Sequence, residues 1–140
     1  MSDETGMSPD PPYGATVVVY RRAQGQVEFL LLHRDPRDPD FAEEWSWGSP
    51  AGGRHPGEPP DRCAARELFE ETGLRLQVRE TDAGSPEWCV YVAEAPTDAP
   101  VVLSHEHDAY RWLPLAEALA HATPEVVRAS LARAARHIVT

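Results

Sequence analysis

Residues Gly52 to Leu74 read GGRHPGEPPDRCAARELFEETGL. Pro59-Pro60-Asp61 starts a helix in this stretch, because proline suits the first helical position and an acidic residue suits the positive end of the helix dipole. The helix runs to about Thr72, where Gly73 stops it. Glu67, Glu70 and Glu71 stand at i, i+3 and i+4, so they share one face. Like charges at this spacing repel, at roughly a few tenths of a kcal/mol per pair. Arg66 lies beside them and offsets part of that repulsion by pairing with Glu70. A local rule broken in this way often marks a functional site.

Carboxylates grouped on a rigid helix face suit a hard cation. Mg²⁺ takes oxygen ligands in near-octahedral geometry and shares them with water and phosphate. Such an ion neutralises phosphate charge and acidifies water, and a nearby carboxylate can take the proton. From the three glutamates alone, a solvated acidic helix face is the other reading, and it is common in acidic proteins.

Outward from the helix the chain alternates in character. Ala15–Tyr20 (ATVVVY) and Val27–His33 (VEFLLLH) are apolar and rich in β-branched residues, and they read as strands joined by a hairpin at Gln24-Gly25-Gln26. Arg34–Glu44 is a loop, and Trp45–Gly57 is an irregular but structured one. Leu74–Val78, Trp88–Ala93, Pro100–Leu103 and Tyr110–Leu113 are strand candidates. Leu115–His121 and Glu125–Val139 read as helices, the second opened by Thr123-Pro124 and carrying Val127, Leu131, Ala134 and Ile138 on one apolar stripe. This order predicts an α+β fold, an α/β/α sandwich. Residues 1–12, with Ser8-Pro9-Asp10-Pro11-Pro12, read as a flexible or weakly docked tail, and residues 13–140 as a single domain.

The formal net charge of −10 argues against a nucleic-acid partner, which needs a basic footprint. It leaves room for a small anionic substrate, because a bound divalent cation reverses the local potential. Cys63 and Cys89 form no paired motif, which fits a reducing, cytoplasmic compartment. Met1–Asp10 lacks the basic start and apolar run of a signal peptide, and no apolar stretch approaches about 18 residues, so no membrane partner is expected.

Gly52, Glu58, Arg66, Glu67, Glu70, Glu71 and Gly73, with Leu68 and Leu74 at the aliphatic positions, match the spacing G-x5-E-x7-R-E-U-x-E-E-x-G-U. This resembles the signature of the Nudix (MutT-like) hydrolases. The resemblance implies a mixed central β-sheet packed between helices and Mg²⁺-dependent hydrolysis of a phosphoanhydride bond in a nucleoside diphosphate linked to another group, with Mn²⁺ able to substitute. It implies that Glu70 and Glu71 are the main metal ligands and that Glu67 is a further ligand or the general base. The Gly52 carbonyl would also reach the metal. Arg66 would orient Glu67 or Glu70, and Glu58 would support Arg66.

A second match lies downstream. Ser104–Leu113 (SHEHDAYRWL) is similar to a segment of asymmetric diadenosine tetraphosphate hydrolases and, in its Glu-His-x-Ala-Tyr-x-Trp-Leu core, of dihydroneopterin triphosphate pyrophosphatases. That match implies that Glu106 is an extra metal ligand or base. The other readings of His105 and His107 are a zinc pair or plain loop polarity, and Tyr110 and Trp112 read as core rather than as stacking platforms. The chain has Pro50-Ala51-Gly52 where the diadenosine tetraphosphate hydrolases carry Pro-Lys-Gly, and Gly53-Arg54-His55 follows. Arg54 or His55 is the candidate to replace that lysine at the phosphates. Arg34, with Arg37, is a further phosphate-binding candidate by its planar fork, against a solvated loop as the alternative. Trp88 is the candidate to stack on a base, against one face of a strand. The substrate expected first is a dinucleoside polyphosphate and second a nucleoside or pterin triphosphate. The rival reading is a non-catalytic, nucleotide-sensing module of the same fold.

Overall fold

The computed structural model describes residues 7–39 and 41–138. Strand β1 (Gly14–Ala23) lies at the middle of a mixed seven-stranded sheet. It turns through Gln24-Gly25 into β2 (Gln26–Arg34), with Ala23 opposite Gln26 as the predicted hairpin requires. Side chains alternate along β1. Ala15, Val17 and Val19 enter one core with Cys63, Ala64 and Leu68 of helix α1 (Pro60–Thr72). Val18 and Tyr20 enter a second core with Ala118 of α2 (Leu115–His121) and with Leu131 and Ala134 of α3 (Glu125–Ala135). A strand buried on both faces needs an unbroken apolar run, which ATVVVY supplies. The predicted α/β/α sandwich is the observed architecture.

The sheet splits at its centre. β1 and β2 pair only near the hairpin, over Tyr20–Ala23. Beyond that, β1 pairs through Gly14–Thr16 with β4 (Ala51–Gly53), and β2 pairs through Leu32 and His33 with β3 (Trp47–Gly48). The Val17 amide donates to the Pro50 carbonyl at 2.8 Å. The segment expected as an irregular loop is therefore wedged between the two strands. On the other flank of β1 lies the parallel strand β6 (Trp88–Glu94), which carries the short β5 (Arg79–Glu80). β7 (His107–Pro114) flanks β2.

Two expected strands are not strands. Leu74–Val78 buries alternate residues as predicted, with Leu74, Leu76 and Val78 against the α1-side core, but its backbone joins no ladder before Arg79. Pro100–Leu103 is likewise extended without a sheet partner; Val101 and Leu103 pack inward, and the Val102 amide donates to the Thr72 carbonyl at 2.8 Å, capping α1. Helix α3 ends at Ala135, short of the predicted end at Val139, which lies outside the described residues. Trp112 packs inward as expected, under the Arg21 guanidinium, whereas Tyr110 is exposed. Of the predicted tail, residues 1–6 lie outside the described residues. Ser8 is buried, and its amide donates to the Arg54 carbonyl at 2.6 Å.

Gly73 ends α1 at φ 74°, and a Cβ there would meet the Val102 side chain at 3.3 Å. Gly73→Ala is expected to cost more than about 1 kcal/mol, because an alanine at positive φ is strained. Urea unfolding with an unchanged slope and a lower midpoint would show this; an unchanged midpoint would not fit a strained left-handed stop.

Candidate active site

Helix α1 turns its buried stripe, Ala64, Leu68, Glu71 and Thr72, toward the sheet. The three glutamates are graded across that face. Glu71 is only 5% exposed, Glu67 is half-buried, and the Glu70 side chain is 53% exposed. Glu71 accepts a hydrogen bond from the Ala51 amide at 3.2 Å. Burial first, and then the hydrogen bond to and charge of Glu67, push the Glu71 carboxyl up to about 9. Glu67 is also raised, again first by burial. The pair thus holds a proton between its two carboxyls at neutral pH, as expected when like charges are crowded out of water. Glu106 adds its charge to the same crowding. Gly52 lies against the Glu67 carboxylate, and any Cβ there would overlap it.

Arg66 braces this cluster. Its guanidinium donates twice to Glu58, from Nε to Oε2 at 2.8 Å and from Nη2 to Oε1 at 3.0 Å. Nη1 reaches Glu67 at 2.9 Å and Glu70 at 3.2 Å, and Nη2 also reaches the Gly53 carbonyl at 3.0 Å. The hydrogen bonds from Arg66 hold Glu58 below the usual carboxylate range, and those to Glu58 hold Arg66 above its ordinary value. Behind Gly52, the buried Cys63 thiol donates to the Gly52 carbonyl at 3.7 Å; burial pushes that thiol up to about 11, so it stays protonated.

The split in the sheet lets Glu71 reach a cavity of about 560 Å³ on the α3 side. Thr16, Leu32, Arg34, Trp88, His107 and Ser130 share its wall. Arg34 sits there with its Nη2 3.5 Å from Asp38. Trp88 is fixed by an indole N–H donated to Thr16 Oγ1 at 2.9 Å. Arg37 points elsewhere, paired with Asp35 at 2.8 Å.

Arg54 is not at the cavity, contrary to expectation: its fork donates to the Pro12, Glu58 and Asp10 carbonyls and to Ser8 Oγ. The reason is that β4 brings Gly53-Arg54 beside the N-terminal segment, whose carbonyls take the Arg54 donors. His55 is exposed beside it. His107 is half-buried, and burial, then Arg34, push its imidazole down to about 4, so it is neutral; its Nδ1 is among the buried polar atoms without a partner in the described residues. The sequence reading missed Asp38. Among the described residues, Asp38, His105 and Glu106 bring one donor atom each within 4.8 Å of one another. Only the fold joins Asp38 to this set, through the Asp35 amide bonded to the Glu106 carbonyl at 2.9 Å.

Fold and site together define a sandwich protein with buried, oxygen-rich acids beside a cavity. Residues 10–134 match the family model described as the NUDIX domain, and the chain belongs to the Nudix hydrolase family. It is similar to an octanoyltransferase of Myxococcus xanthus, 30% identical over 139 residues and 91% of this chain, although it spans only 38% of that protein's length. It is 35% identical over 118 residues to the asymmetrical bis(5′-nucleosyl)-tetraphosphatase of Rattus norvegicus, covering 75% of this chain and 76% of that one. A solved structure, the Ap4A hydrolase of C. elegans in a binary complex, superposes with a TM-score of 0.71 at 28% identity, covering 89% of this chain and 95% of that one. Among the described residues, no helix is long and apolar enough to cross a membrane.

The shared proton has a consequence for stability. Glu71 keeps a proton in the folded, metal-free protein up to about pH 9, but loses it near the ordinary carboxylate value, about 4.3, once unfolded. The folded state therefore binds more protons than the unfolded state between these limits, so stability falls as pH rises through them. Thermal unfolding in EDTA should show this decline in the wild type and a flatter profile in Glu71→Gln. Equal slopes in the two proteins would contradict it. Gly52→Ala should remain folded only by displacing Glu67, and its metal affinity should fall by at least about tenfold, read by Mn²⁺ titration.

Proposed function

We propose that the chain hydrolyses a phosphoanhydride bond in a small nucleotide, a nucleoside diphosphate linked to a further group, and that it does so with Mg²⁺. Mn²⁺ substitutes in this reading. Dinucleoside polyphosphates rank first as substrate, supported by the likeness to the rat tetraphosphatase, and nucleoside or pterin triphosphates second. The observation that carries the proposal is the buried Glu71 carboxyl, packed beside Glu67 and held on the Ala51 amide, which opens onto the cavity.

The donor set fits a hard divalent ion. Glu67, Glu70, Glu71, Glu106 and the Gly52 carbonyl offer oxygen only, and Glu67 and Glu71 are close enough to interact, so a cation can displace the proton between them. Bound there, Mg²⁺ supplies charge stabilisation for the phosphates. The protein's own groups do the rest. Arg66 fixes the Glu67 and Glu70 carboxylates, and burial keeps Glu71 from turning into solvent. Glu67 or Glu106 takes the proton of the attacking water. Arg34 binds phosphate oxygens, and Trp88 flanks the base. The two free thiols suit a cytoplasmic location, and the net charge of −10 disfavours a nucleic-acid chain as partner.

Product analysis with Mg²⁺ tests this. ATP released from diadenosine tetraphosphate supports the first substrate class; a monophosphate plus pyrophosphate from a triphosphate supports the second. Glu70→Gln and Glu71→Gln should each lower kcat by at least about 100-fold, the upper end of what outer-shell partners of a metal site cost, with little change in Tm. Full activity in those variants refutes the ligand assignment. Nucleotide binding without turnover, unchanged in Glu71→Ala, would instead mark a nucleotide-sensing module.

A further inference from the structure

The segment Met7–Tyr13 lies as a strap across the turn that leads into α1. The Met7 side chain packs on Gly53, where a Cβ would meet Met7 Sδ at 2.9 Å, and Ser8 is 4% exposed. Arg54 ties this strap down. Its amide donates to the Tyr13 carbonyl at 2.8 Å, and its carbonyl accepts the Ser8 amide. Its guanidinium donates from Nε to the Pro12 carbonyl at 2.8 Å, and from Nη2 to Ser8 Oγ at 3.0 Å and the Asp10 carbonyl at 2.8 Å. The remaining arm, Nη1, reaches in the other direction, to the Glu58 carbonyl at 2.7 Å. Glu58 is the residue whose carboxylate holds both Nε and Nη2 of Arg66.

We propose that Arg54 is a positioning residue for the glutamate cluster, acting from the strap through Glu58 and Arg66 on Glu67 and Glu70. The four acceptors of its fork are neutral oxygens, so these bonds supply geometry rather than charge compensation. The turn His55-Pro56-Gly57 is exposed, with Gly57 at φ 78°, and Arg54 spans its ends by bonding to Glu58. The turn is also tied by the Glu58 amide on the His55 carbonyl and the His55 amide on Glu58 Oε1, each at 3.0 Å. Loss of the Arg54 span loosens it, and with it the carboxylate that sets the angle of the Arg66 fork. Arg66 then no longer holds both carboxylates in one place. The proposal rests on Glu67 and Glu70 being metal ligands for its effect on activity, but the mechanical tie itself does not.

Two readouts separate the tie from the ligand assignment. The first needs no metal or substrate: the Arg66 Nε–H resonance in the NMR spectrum of the metal-free protein should shift or broaden in Arg54→Ala. The second is functional. Arg54→Ala should raise the Mn²⁺ concentration for half-saturation and lower kcat, each by roughly tenfold, the lower end for partners outside a metal's ligand shell, while KM stays within about twofold. Arg54→Lys should recover most of the loss, since an ammonium can reach part of the same carbonyl set. Should Arg54→Ala fail to fold, Ser8→Ala removes one acceptor of the fork and should move the Arg66 resonance in the same direction by a smaller amount. A folded Arg54→Ala protein with an unmoved Arg66 resonance overturns the proposal, as does a moved resonance with wild-type metal affinity and kcat. A wild-type protein that binds no Mn²⁺ would sink the ligand assignment, while the resonance still decides whether the tie exists.

Discussion

Two crowded carboxyl groups, Glu67 and Glu71, whose burial favours a proton on the pair, set the terms for this molecule. They stand one helical turn apart on the side of α1 that faces the sheet, out of water, with Gly52 against one and the Ala51 amide on the other. In the metal-free protein a proton relieves their repulsion. In the proposed reading a divalent ion relieves it better, because a doubly charged cation attracts both carboxylates at once. On that proposal, the crowding that weakens the metal-free site is what ion binding would relieve.

The rest of the architecture serves that arrangement. Were β1 and β2 paired along their whole length, α1 would be sealed from the opposite face. Their divergence admits the wedge of β3 and β4, which delivers Gly52 to the glutamates and opens Glu71 to the cavity under α3. Arg66 and Glu58 form a partly buried ion pair, with side-chain exposures of 23% and 14%. Such pairs add little net stability, because desolvation offsets most of the attraction. What this pair contributes is direction: three further acceptors, on Glu67, Glu70 and Gly53, take their positions from one planar fork.

Much of this was legible in the chain. The apolar run ATVVVY announced a strand buried on both sides, and Gly73 announced the end of α1. The family resemblance carried by the spacing of Gly52, Glu58, Arg66, Glu67, Glu70 and Glu71 implied that Arg66 and Glu58 brace the cluster. The errors have physical causes. Alternation in Leu74–Val78 reports which side chains are buried, not whether the backbone has a neighbour to pair with. Spacing placed the three glutamates on one face but could not grade them, since burial depends on how α1 lies against β4. Arg54 looked available for phosphate because a sequence does not show the N-terminal carbonyls that claim its fork. Asp38 went unnoticed because it is far along the chain from Glu106, and only the contact between their loops brings them together.

Proton release on metal binding tests the central claim most directly. Calorimetric titration of Mg²⁺ or Mn²⁺ near neutral pH, repeated in buffers of differing ionisation enthalpy, counts the protons displaced. The account predicts that about one proton leaves per ion bound in the wild type, and none in Glu71→Gln. Binding without proton release in the wild type, or release undiminished in the variant, would show that the Glu67–Glu71 pair is not where the ion sits.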